Sequence, residues 1–210
     1  MDLASPGYSR LSLEKKRTMN NYSIALFFHI VGVLGYFVAL GLEWTSLHRL
    51  RQATTTAQAR EWIRISSGLF RLGGASMALI LVAGLYMMAV GKIGAAWLIV
   101  AFWAFVVLAV LAAALSGPRM AGIRRAVTAV TAGVAENGPV APTLSRLVQN
   151  PLLWISIQTR VALALSIVFL MTVKPDLGGA LLTVSVGAVL GVASALPLPG
   201  RARTQEGPAI

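Results

Sequence analysis

Five stretches of the chain consist almost entirely of apolar residues, and charged tracts or Gly/Pro turns separate them. They cover residues 24–42, 73–90, 93–115, 152–173 and 177–196. Because the hydrocarbon core of a bilayer is about 30 Å thick, a helix needs about 20 apolar residues to cross it, and each stretch is close to that length. The sequence therefore predicts an all-α fold, a polytopic membrane protein with a bundle of five transmembrane helices.

The links between these stretches predict how the helices pair. Residues 91–92 and 174–176 are very short links, which force the flanking helices to run antiparallel as hairpins. The Ser-Gly-Pro sequence at residues 116–118 predicts that the third helix stops there. The sequence of residues 58–70 predicts either an amphipathic helix on the membrane surface or an extension of the second transmembrane helix.

The two long connections, residues 43–72 and 116–151, carry most of the arginines and lie on the same side of the membrane. The positive-inside rule places that side in the cytoplasm, where anionic lipids attract arginine. The sequence therefore predicts a multi-pass protein of the bacterial inner (plasma) membrane, with its N-terminus outside. We expect one transmembrane domain over residues 19–196 and a cytoplasmic tail over 197–210.

The N-terminus conflicts with this orientation, because it would place the basic residues of 10–17 outside. Translation that starts at Met19 would give a short, uncharged outer end and remove the conflict. Residues 1–18 are therefore expected to be either a disordered leader or an extension ahead of the true start.

Composition supports a membrane protein and excludes several kinds of site. Hydrophobic residues make up 57% of the chain and charged residues 12%, whereas soluble proteins have about 25% charged residues. The absence of cysteine excludes disulfides and cysteinyl metal sites, and His29 and His48 alone exclude a multi-histidine metal site within one subunit. We attribute the net charge of +11 to the arginine-rich loops and predict no nucleic-acid partner. No Walker loop, carboxylate dyad or HExxH motif indicates catalysis.

Two ionisable residues fall inside the predicted spans, where placing them costs free energy. His29 is expected to serve as an axial haem ligand, as a proton relay or as a hydrogen-bonding partner of a neighbouring helix. Arg160 is expected either to reach the headgroups with its long side chain or to bind an anion. The candidate anions are a haem propionate, a lipid phosphate and the carboxylate of Glu43, which has a similar predicted depth.

Small residues predict close helix packing. Gly187 and Gly191 form a GxxxG pattern in the fifth span, and such glycines let two helices approach closely. The pattern predicts tight packing rather than a dimer specifically.

Four short strings resemble an uncharacterised bacterial membrane family, domain of unknown function 2269. They are ALFFHIVG at residues 25–32, GLYM at 84–87, AWL at 96–98 and IVFLMTVKP at 167–175. In order and layout the resemblance covers residues 19–196. That family has no established activity, so the resemblance implies a fold more than a function.

The Leu-Phe-Phe-His pattern of the first helix is more distantly similar to the copper-resistance D and HemJ-type protoporphyrinogen oxidase families. These are helical bundles with an early intramembrane histidine, which in the HemJ type is implicated in haem binding together with an important lysine in a later helix. His29 matches the histidine. The lysine has no counterpart, because residues 95–98 are apolar and Lys92 precedes them. A single histidine also does not match a copper-transport site.

Two hypotheses of function follow. The first is a non-catalytic accessory or interaction subunit of a larger membrane complex, which the scarcity of polar intramembrane residues favours. The alternative is a redox or haem-handling protein that binds haem b, with His29 as axial ligand and Arg160 as a charge partner of the propionates.

Overall fold

A computed structural model describes residues 6–91, 94–131 and 142–195 of the chain, and these residues are almost entirely helical. The α-helices in chain order are α1 (Pro6–Gln52), α2 (Thr56–Gly91), α3 (Ala96–Val110), α4 (Gly117–Thr131), α5 (Pro142–Val148), α6 (Pro151–Val173) and α7 (Leu177–Ala195), and a π-helical segment (Leu111–Ser116) joins α3 to α4. Five helices are long and apolar enough to cross a membrane, the third of them running from α3 into α4. The prediction of an all-α bundle is confirmed.

The first two helices are longer than their apolar stretches. α1 begins at Pro6, so its helix includes residues 6–18. Good helix formers fill most of that segment, and a proline is well tolerated in the first turn. A start at Met19 stays a prediction. For residues 58–70 the structure selects the second alternative, since α2 is continuous from Thr56.

The prediction that the third helix stops at residues 116–118 is wrong, because the helix continues through the π-helical segment into α4. Pro118 removes one backbone donor, and the wider π turn frees further carbonyl groups. Two side chains donate hydrogen bonds to carbonyl groups of this segment. The Ser156 hydroxyl donates to the Leu111 carbonyl at 3.2 Å, and the Arg119 guanidinium donates to the Leu115 carbonyl at 2.8 Å.

Only one of the two predicted hairpins forms as a packed pair. α7 packs against α6, after a link in which Lys174 adopts the left-handed conformation at the end of α6 and Asp176 accepts a hydrogen bond from the backbone of Gly179. α2 packs along α1 instead of α3, and α3 packs against α6 and α7. The short link at residues 91–92 therefore did not decide the partners of α2 and α3, and the packing faces of the helices did.

Glycines lie at close contacts of two helix pairs, α1 with α2 and α6 with α7. A Cβ atom added at Gly35 of α1 would lie 2.5 Å from the Ser76 hydroxyl of α2, and one added at Gly191 of α7 would lie 2.5 Å from the Cα atom of Thr159 in α6. A Cβ atom at Gly187 would also clash with Ser166. The predicted close packing of the GxxxG pattern is confirmed, and its partner is α6 of the same chain.

The described residues fall into two regions. We call residues 43–72, 117–131 and 142–157 the cap, and residues 19–42, 73–91, 94–116 and 158–195 the membrane sector. The cap contains the largest cluster of buried apolar side chains, in which Leu47, Ile123 and Leu153 are fully buried. Two smaller clusters, around Leu40 and around Leu170, lie in the membrane sector.

Candidate functional site

Arg160 of α6 forms an ion pair with Glu43 of α1 where the membrane sector meets the cap. Its Nη2 atom lies 2.7 Å from Oε1 of Glu43, and the two side chains are only 5% and 20% exposed. The predicted Glu43–Arg160 pair is therefore confirmed. It joins two helices that are far apart in the sequence, and burial strengthens the attraction of the two charges because little water screens it.

Two serines extend this pair into a buried polar cluster. Nη2 of Arg160 also donates to the Ser116 hydroxyl at 3.0 Å, and that hydroxyl lies 3.1 Å from the hydroxyl of Ser156. Because Ser156 donates to the carbonyl of Leu111, the cluster ends on the backbone of the π-helical segment. Neither serine is among the site residues predicted from the sequence. The sequence places Ser116 in a helix stop, although a buried serine beside an irregular helix is a common way to satisfy its backbone.

Tyr36 adds a third polar side chain from α1. It lies two helical turns before Glu43 on the same face, and its hydroxyl lies near the Arg160 guanidinium but outside hydrogen-bonding geometry. The Tyr36 hydroxyl and the Nε atom of Arg160 are buried, and neither has a hydrogen-bond partner within the described residues. Both groups can donate a hydrogen bond, so the cluster retains two unused donors.

A partly open cavity of about 180 Å³ adjoins the cluster. It lies between α1, α2, α6 and the continuous helix formed by α3, the π-helical segment and α4. Its polar lining consists of Tyr36, Glu43, Arg124 and Arg160. Its apolar lining consists of Ala39, Leu40, Leu69, Phe70, Gly73, Gly74, Met77, Ala109, Ala112, Ala113 and Met120. With two arginines and one glutamate, the lining carries a net positive charge.

His29 lies in a different part of the bundle. Its Nδ1 atom is 3.1 Å from the Ile80 carbonyl of α2, and because a carbonyl only accepts, Nδ1 carries the proton. The ring packs beside Gly84, where a Cβ atom would lie 3.4 Å from it. Glu43 is about 21 Å further along α1. The structure therefore does not bring His29 and Arg160 together, and within the described residues no group of three potential metal-ligating side chains occurs.

Two arginines of the cap form cation–π contacts with tryptophan side chains. The guanidinium of Arg51 lies 3.9 Å from the ring centre of Trp154, and that of Arg49 lies 6.0 Å from Trp62. Such cation–π contacts are strongest when the cation is close to the ring and shielded from water. They connect the ends of α1, α2 and α6 in the cap.

Comparisons with known proteins find no match to this chain. A scan against protein-family models finds no match, and searches of curated proteins and of solved structures find no similar protein. The resemblance to domain of unknown function 2269, and the more distant one to the copper-resistance D and HemJ-type families, therefore stay predictions.

Proposed function

We propose that the protein is a non-catalytic accessory subunit that joins a larger membrane complex through its cap. The observation that supports this most directly is that the cap has a buried apolar core of its own. α2 alone has 36 residues and is about 54 Å long, well beyond the thickness of the hydrocarbon core. Crossing the membrane does not require this additional folded region, so we assign it to interaction.

The buried polar side chains fit a structural role. Glu43, Arg160, Ser116 and Ser156 bind one another and the backbone, and so connect α1, α6 and the π-helical segment. The Glu43 carboxylate is held by a guanidinium, which is not an arrangement that activates a general base. His29, the other ionisable side chain of the apolar segments, bonds to a neighbouring helix.

We place the cap on the cytoplasmic side of a bacterial inner membrane. Its arginines are concentrated at one end of the bundle, and the positive-inside rule associates such an end with the cytoplasm. Anionic lipids and other membrane-protein subunits are the partners that we propose for it. Because the chain contains no cysteine, single introduced cysteines report the orientation directly. In intact cells, a membrane-impermeant maleimide is expected to label Lys174→Cys but not Arg125→Cys; the reverse pattern would overturn the orientation.

The subunit proposal is tested by purification from native membranes in mild detergent. The protein is expected to migrate with a second polypeptide in fixed stoichiometry. Reversing two exposed cap charges, Arg125→Glu with Arg146→Glu, is expected to release it as the free 22.2 kDa chain. Lys174→Glu, an exposed position between α6 and α7, is the matched control and is expected to retain the partner. A wild-type protein without any stoichiometric partner would refute the proposal.

Haem b binding by His29 is a second candidate function, and one observation favours it. Histidines that ligate metals usually donate their other ring N–H to a carboxylate or a carbonyl, as Nδ1 of His29 does to Ile80. Nε2 is then the nitrogen that would meet the iron, and the propionates would need a partner other than Arg160. A reduced-minus-oxidised spectrum with a b-type signal, lost in His29→Ala and kept in His48→Ala, would support it. A colourless protein expressed with haem supplied would refute it.

A further inference from the structure

We propose that the cavity beside the Glu43–Arg160 pair binds the anionic headgroup of a membrane phospholipid, with Arg124 and Tyr36 as its specific contacts. This goes beyond a general attraction between cap arginines and acidic membranes, because it assigns one headgroup to one defined cavity. Three independent properties of the cavity support it: its unused hydrogen-bond donors, its charge and its position.

The unused donors define the chemistry of the ligand. Tyr36 and Arg160 are 6% and 4% exposed, both line the cavity, and the Tyr36 hydroxyl and the Nε atom of Arg160 have no partner in the described residues. A buried polar group without a hydrogen bond destabilises a fold, so such groups are normally satisfied by something. Because Nε can only donate and the hydroxyl is free to donate, the complementary ligand supplies acceptor oxygens.

The charge of the lining specifies an anion. Arg124 lines the cavity from α4 and takes part in neither of the ion pairs of the described chain, Glu43–Arg160 and Glu61–Arg64. Glu43 therefore balances Arg160, and the charge of Arg124 remains. A phosphate group satisfies this charge and offers several acceptor oxygens to the two donors.

Position and shape favour a phospholipid over a free anion. The cavity is lined from both the membrane sector and the cap, and so lies at the end of the apolar segments, where lipid headgroups lie. A volume of about 180 Å³ is close to that of a cavity that holds one benzene molecule, about 150 Å³, so it suits part of a headgroup rather than a whole lipid. Most of the remaining lining is apolar, including Leu69, Phe70 and Met77, which suits the glycerol and acyl portions.

Arg124 and Arg125 provide a matched pair of variants. They are neighbours in α4, but only Arg124 lines the cavity, while Arg125 is exposed. The purified, delipidated full chain is titrated with phosphatidylglycerol in neutral detergent and followed by native mass spectrometry. Arg124→Gln is expected to weaken binding about tenfold, as the loss of a charge-assisted hydrogen bond would. Arg125→Gln is expected to change it less than twofold.

Tyr36→Phe keeps the ring and removes only the hydroxyl. It is expected to weaken phosphatidylglycerol binding several-fold without changing the thermal stability of the lipid-free protein. Two further probes identify the source of the phosphate: phosphatidylcholine is expected to bind at least fivefold more weakly, and inorganic phosphate is not expected to compete at millimolar concentration. Equal effects of Arg124→Gln and Arg125→Gln, equal binding of both lipids, or full competition by inorganic phosphate would each overturn the proposal.

Discussion

The cap and the membrane sector are both rich in apolar residues, but the larger buried apolar cluster lies in the cap and more of the large apolar side chains of the membrane sector are exposed. In the cap, large side chains such as Ile123 and Leu153 are fully buried, and most charged residues are exposed. In the membrane sector, Phe27 and Leu34 are each 61% exposed, and glycines and serines form close helix contacts beside the two smaller apolar clusters. Water drives large apolar groups inward, whereas lipid is as apolar as leucine and leaves the interior to residues that pack closely.

The buried ion pair lies where these two arrangements meet. Glu43 and Arg160 would be exposed in an ordinary soluble cap and costly within the lipid, and at the junction each side chain reaches the other while protein excludes water. The same junction contains the π-helical segment and the cavity. The proposed headgroup cavity therefore lies at this junction, whereas the proposed interaction surface lies on the cap.

The largest predicted effect is the difference between the stability lost when a buried ion pair is broken and the stability lost when an exposed one is broken. Glu43→Ala leaves the Arg160 charge buried without its partner and is expected to destabilise the fold by about 3–5 kcal/mol. Glu61→Ala breaks an exposed pair, in which Oε1 of Glu61 lies 2.9 Å from Nη2 of Arg64. It is expected to change stability little. Unfolding in mixed micelles measures both. Recovery of stability in the double variant Glu43→Leu/Arg160→Met is expected, and equal losses at Glu43 and Glu61 would contradict the prediction.

The next prediction compares a buried apolar residue of the cap with an exposed apolar residue of the membrane sector. Ile123→Ala opens a cavity in the cap core and is expected to cost about 3 kcal/mol. Leu34→Ala removes an exposed side chain of the membrane sector, where lipid takes its place, and is expected to cost far less. The same unfolding measurement compares them. A larger loss at Leu34 would show that this face of α1 is covered by protein.

A smaller effect is expected from adding one methyl group to a helix contact. In Gly191→Ala the new Cβ would lie 2.5 Å from the Cα of Thr159, so α7 has to move away from α6, at a cost of about 1–3 kcal/mol. Gly41→Ala is the matched control, because a Cβ there meets nothing within 4 Å. A cysteine crosslink between α6 and α7, slowed only in Gly191→Ala, would report the separation.

The smallest effect concerns the π-helical segment. Ser156→Ala removes the hydroxyl that contacts both Ser116 and the Leu111 carbonyl, and is expected to cost about 1 kcal/mol, since hydrogen bonds within membrane proteins contribute modestly. Thr172→Ala removes a hydroxyl that bonds only within its own helix and serves as control. Faster hydrogen exchange in the π-helical segment of Ser156→Ala alone is the result that we expect.

Several features were predictable because they depend on local properties of the chain. Five apolar stretches of sufficient length determine five helices whatever their partners, since backbone groups in lipid must bond within their own helix. The Glu43–Arg160 pair was predictable too, because two opposite charges at similar depth gain more from pairing than from separate burial.

Other features depended on how distant segments pack. Whether α2 pairs with α1 or with α3 was decided by which faces fit, namely Gly32 and Gly35 against Ser76 and Ile80, and the length of a link carries no such information. The predicted helix stop at residues 116–118 was wrong because the chain continues there as a π-helical segment, and that segment also accepts a hydrogen bond from Ser156, 45 residues beyond Leu111, a contact that local rules do not include.

The sequence by itself determined the helical class, the membrane-crossing segments and the concentration of arginine at one end, because each follows from composition along a single helix. Only the tertiary structure decided that Arg160 and Tyr36 would retain unused donors beside the side chain of Arg124. The physical reason is that a cavity is a property of the space between helices. It arises here where α2 and the irregular third helix do not pack closely, and no one segment encodes that gap.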